Sequence, residues 1–227
     1  MDLLTKSHRK FLEEATSQYR TNLEGSPAED FLRQRGLGSQ DIKETVDKFR
    51  LGYVGDDSDS RHERQRGRLA IPYLRWSPEF GWSVSSIRFR CVEEHHNCKE
   101  RGHPKYSSQP GDRPRLFNTP ALVNTEDCVG VTEGELDAIT ASACGIPTVG
   151  VPGAGMWKPW FVPPFLGYKE VLVFADGDSS GTKFAEEVAS TLPNARVIQS
   201  PDGYDVNSLV DERGRQYFIE RVNNVTR

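Results

Sequence analysis

The sequence predicts an α/β protein whose C-terminal domain is a parallel sheet flanked by helices, preceded by a mixed α+β N-terminal subdomain. Three observations support this fold class. Residues 3–49 place apolar side chains at helical spacing, and two runs of β-type residues follow. From Val123 onward, short apolar runs alternate with helical stretches. Because strands that alternate with helices pair in parallel, we predict domains at residues 1–120 and 121–227.

Three helices are predicted near the N-terminus. Residues 3–20 carry apolar side chains at helical spacing, which predicts the first helix. Ser26-Pro27 is typical of an N-cap followed by a first-turn proline, and the helix that begins there should end near Gly36. A third helix is predicted around Val46, which shares a face with Phe49.

The middle of the chain is predicted to contain strands and loops. The charged stretch 56–65 has few apolar residues and is interpreted as a loop. Residues 68–74 and 82–90 predict two strands joined by a turn. Residues 91–115 are rich in Gly, Pro, His and charge, which indicates a long loop. A loop of that length in a compact domain usually has a function.

The C-terminal domain is predicted to alternate strands with helices. The predicted strands are residues 128–132, 147–151, 170–175 and 195–199. The predicted helices are residues 135–144, 180–191 and 205–222, the last broken near Gly214. Segment 152–167 carries four prolines, so it can form only a short, irregular helix.

Charge is distributed unevenly along the chain. The net charge of −4 argues against a protein that is basic over its whole surface. Residues 61–115 nevertheless carry 12 Lys/Arg and 6 Asp/Glu, whereas residues 118–227 carry 8 Lys/Arg and 15 Asp/Glu. A basic middle segment together with an acidic metal site suits a phosphate-rich substrate, and ordinary surface variation is the alternative.

The composition also bears on cellular location. The charged N-terminus is unlike a secretory signal peptide, and no apolar run approaches the ~20 residues of a membrane helix. Cys128 and Cys144 lie in apolar settings and are interpreted as buried thiols of a reducing compartment. We therefore expect a soluble, cytoplasmic protein.

Acidic residues follow the predicted strands of the C-terminal domain. Glu133 follows the first strand, and Asp176 and Asp178 follow the third. Since the carboxyl ends of parallel strands form the working edge of such a sheet, these carboxylates should gather there. Oxygen ligands of this kind suit Mg²⁺ or Mn²⁺. Asp205, after the fourth strand, is either a helix cap or a further metal ligand.

Neighbouring residues have simpler explanations. Glu135 and Asp137 lie in the first turn of a predicted helix, where acidic side chains complement the helix dipole. Ser180 can cap the helix that follows Asp178. Gly177, between the two aspartates, is expected to permit a sharp turn.

The long loop contains a Cys/His pattern. Cys91, His95, Cys98 and His103 have the spacing Cys-x₃-His-x₂-Cys-x₄-His, which can supply four tetrahedral zinc ligands. His96 is an alternative to His95. The spacing is not that of a standard zinc finger, and a polar loop whose thiols bind no metal is the alternative.

Several short motifs follow one another in a fixed order between about residues 15 and 222. The acidic ones read Glu-Gly-x-x-Asp from Glu133, Asp-Gly-Asp-x-x-Gly from Asp176 and Pro-Asp-Gly-x-Asp ending at Asp205. The upstream segments are Phe31–Leu37, Phe49–Tyr53, Gly67–Pro72, Ile87–Arg90, Pro104–Ser108 and Leu116–Asn118. This arrangement resembles the Toprim domain and, more narrowly, the catalytic core of bacterial-type (DnaG-like) DNA primases of a phage or prophage.

The resemblance implies a DNA primase that makes short RNA primers from NTPs on single-stranded DNA by metal-dependent nucleotidyl transfer. It implies catalytic, metal-binding roles for Glu133, Asp176 and Asp178, with Asp205 as a further metal ligand. It also implies that nucleotide or DNA is bound by Arg68, Arg88, Arg90, Lys105 and Tyr106. A solvated surface role is the alternative for each arginine.

The resemblance also implies partners. The family usually carries a zinc-ribbon domain before the core and a helicase-binding domain after it. A separate zinc-ribbon protein and a replicative helicase are therefore implied partners, besides the DNA template and NTPs. Two other functions remain open. A Toprim-type nuclease would use the same carboxylates to hydrolyse phosphodiesters, and a non-catalytic replication accessory protein would bind single-stranded DNA without needing them.

Overall fold

A computed structural model describes residues 4–37, 42–93, 98–123 and 126–224. The chain forms two compact units, Met1–Arg113 and Pro114–Arg227, which we name unit 1 and unit 2. The boundary predicted after residue 120 falls a few residues inside unit 2. A mixed, antiparallel unit thus precedes a unit with a parallel sheet, which confirms the predicted fold class.

The helices of unit 1 lie in the segments where the sequence predicts them. They are α1 (Lys6–Thr21), α2 (Pro27–Leu32) and α3 (Ile42–Phe49). Ser26 caps α2, since its side chain accepts a hydrogen bond from the Glu29 N–H, and Pro27 occupies the first turn. A short π-helical segment, Arg33–Leu37, continues α2. It turns at Gly36, whose φ of 65° lies in the left-handed region that favours glycine.

Four strands of unit 1 pair in an antiparallel sheet within the described residues. They are β1 (Gly52–Tyr53), β2 (Arg68–Ser77), β3 (Gly81–Cys91) and β4 (Tyr106–Ser107), in that spatial order. One face of the sheet packs against α1 through a buried cluster that includes Phe11, Leu12 and Phe89. Strand β4 lies inside the segment predicted to be entirely loop. Its two residues pair with Phe89 and Arg90, too short a run for a sequence pattern to reveal.

The charged stretch 56–65 was predicted to be a loop, and this is wrong for its second half. Ser60–Gln65 forms a 3₁₀ helix that Asp59 caps, its side chain accepting a hydrogen bond from the Arg61 N–H. The helix forms because it carries one buried residue. His62 is 1% exposed, packs against Phe11 and Phe89 with 5.0 Å between ring centroids in each pair, and hydrogen-bonds through Nδ1 with the Tyr19 hydroxyl at 2.7 Å.

Unit 2 contains a parallel sheet with helices packed against it. Its described strands are β5 (Cys128–Thr132), β6 (Thr148–Gly150), β7 (Glu170–Ala175) and β8 (Ala195–Gln199). Its helices are α4 (Glu135–Ala143), α5 (Ser179–Ala189), α6 (Val206–Arg213) and α7 (Arg215–Asn224). The spatial order β6-β5-β7-β8 places β5 and β7 in the middle of the sheet, and all three pairings are parallel.

Most of the predicted elements of unit 2 are present within a residue or two of their predicted limits. The break predicted near Gly214 is the junction between α6 and α7, where the glycine has a φ of 86°. The proline-rich segment contains two 3₁₀ turns, Pro159–Phe161 and Pro163–Phe165. Of the two thiols predicted to be buried, Cys144 is buried, whereas Cys128 is half-exposed because it lies at the first position of β5.

No helix in the described part of the chain is both long enough and apolar enough to span a bilayer.

The burial of His62 should make the stability of unit 1 depend on pH. Burial lowers the pKa of His62 from 6.5 to about 4. The unfolded chain therefore binds more protons between these values, so stability is full above pH 6.5 and is lost as the pH falls toward 4. The loss due to this group should reach about 3 kcal/mol. Denaturant unfolding of wild type and His62→Gln, measured from pH 7.5 to 4.5, should show a shallower pH slope for the variant.

His8→Gln is the matched control for this measurement. His8 is an exposed histidine on α1 whose charge makes only the smallest contribution to lowering the pKa of His62, so its removal should change the slope much less than His62→Gln does. A His62→Gln slope equal to that of wild type would show that His62 is not held neutral by the fold.

Candidate active site

The predicted acidic residues of unit 2 follow the two central strands. Glu133 comes directly after β5, and Asp176 comes directly after β7. These strands are parallel neighbours, with Val131 paired to Val173, so their carboxyl ends lie at the same edge of the sheet. Both acidic residues therefore stand where open α/β sheets carry their sites.

The loop after β7 is held against the loop after β8 by backbone contacts. The Gly177 N–H donates to the Tyr204 carbonyl at 2.7 Å, and the Gly203 N–H donates to the Gly177 carbonyl at 2.9 Å. A Cβ at position 177 would lie 1.8 Å from the Pro201 carbonyl oxygen, which only glycine avoids. The glycine is needed for this close approach. The sharp turn expected there is not its reason, because Gly177 is not among the residues with positive φ.

Asp178 caps helix α5. Its Oδ1 accepts a hydrogen bond from the Gly181 N–H at 2.8 Å, so the N-cap is Asp178 and not Ser180 as the sequence suggested. Gly181 is required for a second steric reason, since a Cβ there would lie 2.3 Å from the Asp176 carbonyl oxygen. The spacing Asp-Gly-Asp-x-x-Gly is thus the spacing of a capped helix packed directly on its own strand end.

Asp205 caps helix α6 in the same way. Its Oδ1 accepts from the Ser208 N–H at 2.6 Å, and its own N–H donates to the Ser208 hydroxyl at 3.0 Å. This reciprocal pair is a capping box. Asp205 is also one of the charges that raise the pKa of Asp176. The cap is therefore established, and the charge of the capping carboxylate also acts on Asp176.

Asp137 lies closer to the site than its sequence position suggested. Its charge is the largest of those that raise the pKa of Asp176. Its Oδ1 accepts a hydrogen bond from the backbone N–H of Asn207 at 3.0 Å. The Asn207 side chain is buried and donates to the Thr140 hydroxyl at 2.9 Å. Asn207 thus ties the start of α6 to α4, and α4 presents Asp137 to the acidic cluster.

A loop that the sequence did not implicate surrounds Glu133. The Gly153 N–H donates to the Glu133 carbonyl at 3.0 Å, and the Ala154 N–H and Ser180 hydroxyl hydrogen-bond its carboxylate. The other carboxylate oxygen, Oε2, is buried and accepts no hydrogen bond from a described residue. Burial and the charge of Asp178 raise the pKa of Glu133. A buried acceptor without a partner is costly, and its position favours a cation.

Asp176 is the centre of the acidic cluster. Burial, followed by the charges of Asp137, Asp205, Glu133 and Asp178, raises its pKa to about 8. Five carboxyl groups therefore share one small region, and without a cation the central one is protonated at neutral pH. We name these five residues the acidic cluster.

The acidic cluster fits a hard divalent cation by its chemistry. Its donors are carboxylate oxygens, which Mg²⁺ and Mn²⁺ prefer. One of them, Oε2 of Glu133, is buried and accepts no hydrogen bond from a described residue. Among the described residues, no three of these side chains bring one oxygen each within 4.8 Å of the others. The carboxylates are thus close enough to repel one another, but their oxygens do not converge on a single position.

The predicted nucleic-acid-binding residues lie in unit 1: Arg68 begins β2, Arg88 and Arg90 are on β3, and Lys105 directly precedes Tyr106, the first residue of β4. Arg88 and Arg90 project to the same face of β3, opposite the face that packs on α1 through Phe89. Their guanidinium carbons lie 4.5 and 4.9 Å from the centroid of the Tyr106 ring. Arg90 also lies 4.9 Å from the Phe31 ring centroid and donates to the Tyr106 hydroxyl.

These basic residues differ in their exposure. Arg90 is 5% exposed, so its guanidinium serves the packing of Phe31 and Tyr106 and is not offered to solvent. Arg88 is half-exposed and Lys105 is exposed. Arg68 donates to the Pro104 carbonyl at 3.0 Å, which fixes the segment that carries Lys105. The structure thus brings Arg88, Arg90 and Tyr106 into one cluster and leaves Lys105 at its margin.

Three of the four predicted zinc ligands also come together. Cys91, Cys98 and His103 each have a ligand atom within 4.8 Å of those of the other two. His95 and its alternative, His96, lie outside the described residues.

Comparison with known proteins places this geometry in a family. A family model described as Toprim-like matches residues 130–210, which span the acidic cluster. The Gene 57 protein of Mycobacterium phage D29 is 56% identical over 157 residues, which make up 69% of this chain and 99% of that protein.

Solved structures share the fold over nearly the whole chain. The RNA polymerase domain of the Mycobacterium tuberculosis primase DnaG matches with a TM-score of 0.76 and 18% identity, covering 96% of this chain and 84% of that one. A DnaG primase catalytic domain bound to single-stranded DNA matches with a TM-score of 0.73 and 19% identity, covering 95% and 80%. The chain therefore belongs to the family of the phage D29 Gene 57 protein, and its fold is that of a DnaG-type primase catalytic core with a Toprim domain.

Proposed function

We propose that this protein is a phage primase core that makes short RNA primers on single-stranded DNA by metal-dependent nucleotidyl transfer. The observation that carries the proposal is the acidic cluster at the edge of a Toprim-type sheet, where burial and the charges of four neighbouring carboxyl groups raise the pKa of Asp176 to about 8. Such a concentration of negative charge is stable only when protons or cations offset it, and phosphoryl transfer is the chemistry that uses bound cations most directly.

The residues that would hold the cation are Glu133, Asp176, Asp178 and Asp205. A bound Mg²⁺ or Mn²⁺ would activate the attacking 3′-hydroxyl and offset negative charge on the leaving pyrophosphate. Asp178 and Asp205 each use one oxygen to cap a helix, which fixes the orientation of the carboxylate. The Ser180 hydroxyl and Ala154 N–H do the same for Glu133.

Two helix N-termini stabilise the negative charge of the acidic cluster. The N-termini of α5 and α6 are both capped by acids of the cluster, so the positive ends of both helix dipoles lie beside it. A triphosphate approaching the site would meet these N-termini as well as the cation. The fold thus offsets part of the repulsion without supplying a basic side chain.

The cluster of Arg88, Arg90 and Tyr106 supports a second part of the proposal, the binding of single-stranded DNA by unit 1. Aromatic rings combined with cationic side chains suit single strands, because bases stack while cations contact the backbone. Arg90 holds Tyr106 in place, and Arg88, which lies over the same ring, would contact phosphate. Lys105, exposed beside Tyr106, adds a further cation. A replicative helicase and a separate zinc-ribbon protein are proposed partners by analogy with the family.

Primer synthesis is tested directly with Asp176→Asn. The change keeps the shape of the side chain but removes its charge, so NTP-dependent synthesis on single-stranded DNA with Mg²⁺ or Mn²⁺ should fall by at least about 100-fold. Labelled products are resolved by length on a denaturing gel. Asp211→Asn is the matched control, because Asp211 is an exposed acid on α6 outside the acidic cluster.

Two outcomes would contradict the primase proposal. One is the absence of product from wild-type protein even when a zinc-ribbon protein is supplied. The other is cleavage of the DNA in the absence of NTPs, lost in Asp176→Asn, which would instead identify a Toprim-type nuclease.

The same substitution should stabilise metal-free protein. The raised pKa of Asp176 means that the folded state binds a proton that the unfolded state releases between about pH 4 and pH 8, so metal-free stability falls as the pH rises through this range. In chelator at pH 8, Asp176→Asn should exceed wild type by about 2 kcal/mol or more. Excess Mn²⁺ should then stabilise wild type by about 2–3 kcal/mol and the variant hardly at all.

Denaturant unfolding with and without Mn²⁺ measures both effects. A variant that is less stable than wild type in chelator, or that gains as much from Mn²⁺, would show that Asp176 is not at the centre of a cation site.

Binding of single-stranded DNA is tested with Arg88→Gln. If Arg88 contacts one phosphate, the slope of log K against log salt should become shallower by about 0.7, besides a weaker affinity. Fluorescence anisotropy with a labelled oligonucleotide at several salt concentrations gives this slope. Lys10→Gln on α1 is the control, since it removes an exposed cation from a helix that packs on the opposite face of the sheet. Equal slopes for all three proteins would rule out the phosphate contact.

A further inference from the structure

We propose that the connection between β3 and β4 in unit 1 is a structural zinc site held by Cys91, Cys98 and His103. This site is separate from the acidic cluster in residues, in ligand chemistry and in the unit that carries it. Thiolate and imidazole select Zn²⁺, whereas carboxylates select Mg²⁺ or Mn²⁺.

The three ligand atoms are already close to the distances of a tetrahedral site. They lie within 4.8 Å of one another. Zn–S and Zn–N bonds of about 2.3 and 2.0 Å place such atoms roughly 3.5–3.8 Å apart. Rotamer adjustments of about 1 Å would therefore close them around an ion. Within the described residues, no other group of three Cys, His, Asp or Glu side chains meets the same distance.

Backbone contacts create this convergence. Cys91 is the last residue of β3, and its N–H donates to the Lys105 carbonyl at 2.9 Å, which closes the base of the connection. The His103 N–H donates to the Cys98 carbonyl at 3.1 Å, so a tight turn brings these two residues side by side. The folded connection thus presents its three ligands before any ion binds.

The surroundings of the ligands are those of a metal site. Cys91 is 8% exposed, and its sulfur accepts a hydrogen bond from the Glu93 N–H and contacts the Cys98 thiol. His103 Nδ1 lies 3.4 Å from the Pro104 carbonyl, which can only accept, and this contact favours the tautomer in which Nε2 keeps its lone pair.

Glu93 is the candidate for the fourth position. Its Oε2 lies 3.9 Å from His103 Nε2. A carboxylate oxygen is an accepted zinc ligand, and a carboxylate next to a ligating imidazole also serves as a hydrogen-bond partner outside the metal's own ligands.

Zinc binding would restrain a loop that carries positive charge. Lys99 and Arg101 are exposed within the turn, and Lys105 is exposed where the chain enters β4. A zinc ion that joins Cys91 to Cys98 and His103 would hold these cations and would brace the pairing of Tyr106 with Arg90. The ion acts here on folding and position, so its presence can be measured without any assay of activity.

The test is the metal content of untagged protein purified without chelator. Wild type should contain about one equivalent of zinc by plasma mass spectrometry, and Cys98→Ser and His103→Asn should contain less than about a fifth of that. Cys128→Ser is the matched control, because Cys128 is a half-exposed thiol in unit 2 and should leave the content unchanged. Cobalt exchanged into wild type should give the absorption of a tetrahedral thiolate site, absent in Cys98→Ser.

Limited trypsin digestion gives a second measurement that does not depend on tight retention of the ion. Removal of zinc should expose cleavage after Lys99 and Arg101, and added zinc should reverse this in wild type but not in His103→Asn. Zinc below about a tenth of an equivalent with no uptake on addition would overturn the proposal, as would equal zinc content in wild type and Cys98→Ser. A Cys91–Cys98 disulfide in protein kept under thiol reductant would also overturn it.

Discussion

The repulsion among five carboxyl groups around Asp176 is the constraint on which unit 2 depends. Four of these groups, all except Asp176, accept hydrogen bonds from helix N-termini, backbone amides or the Ser180 hydroxyl. The fold therefore concentrates negative charge and fixes its geometry, but leaves the charge to be neutralised from solution. An arginine in the same place would stabilise the metal-free protein and would compete with the cation that the proposed chemistry requires.

Glycines determine how closely the acids approach. Gly177 lets the loop after β7 lie on Pro201, and the two backbone hydrogen bonds made there bring Asp205 to the cluster. Gly181 lets α5 begin directly against the end of β7. In unit 1 the comparable task is done by stacking, because Arg90 lies between the Phe31 and Tyr106 rings and so joins α2 to the sheet.

Much of this could be predicted from the sequence, because the alternation of apolar runs with helical stretches determines the order of elements and the strand ends identify Glu133, Asp176 and Asp178. What escaped prediction depends on contacts that are distant in sequence. The role of Asp137 follows from Asn207, 70 residues away. Arg90 is buried because Phe31 packs against it. Nothing in the sequence around Arg90 distinguishes it from the more exposed arginines of the same segment. The Ala154 amide has no sequence signal, since any residue supplies a backbone N–H.

The double use of Asp178 and Asp205 as helix caps and as members of the acidic cluster has an evolutionary consequence. Asparagine caps a helix as well as aspartate does, so an Asp→Asn change at either position would keep the backbone hydrogen bonds and the helix starts. Under the proposed function, a lineage could thus lose its metal-dependent chemistry when one carboxylate oxygen is replaced by an amide nitrogen, with no shift in its backbone. The backbones of two relatives could therefore superpose closely while only one of them keeps the carboxylates that the proposed chemistry requires.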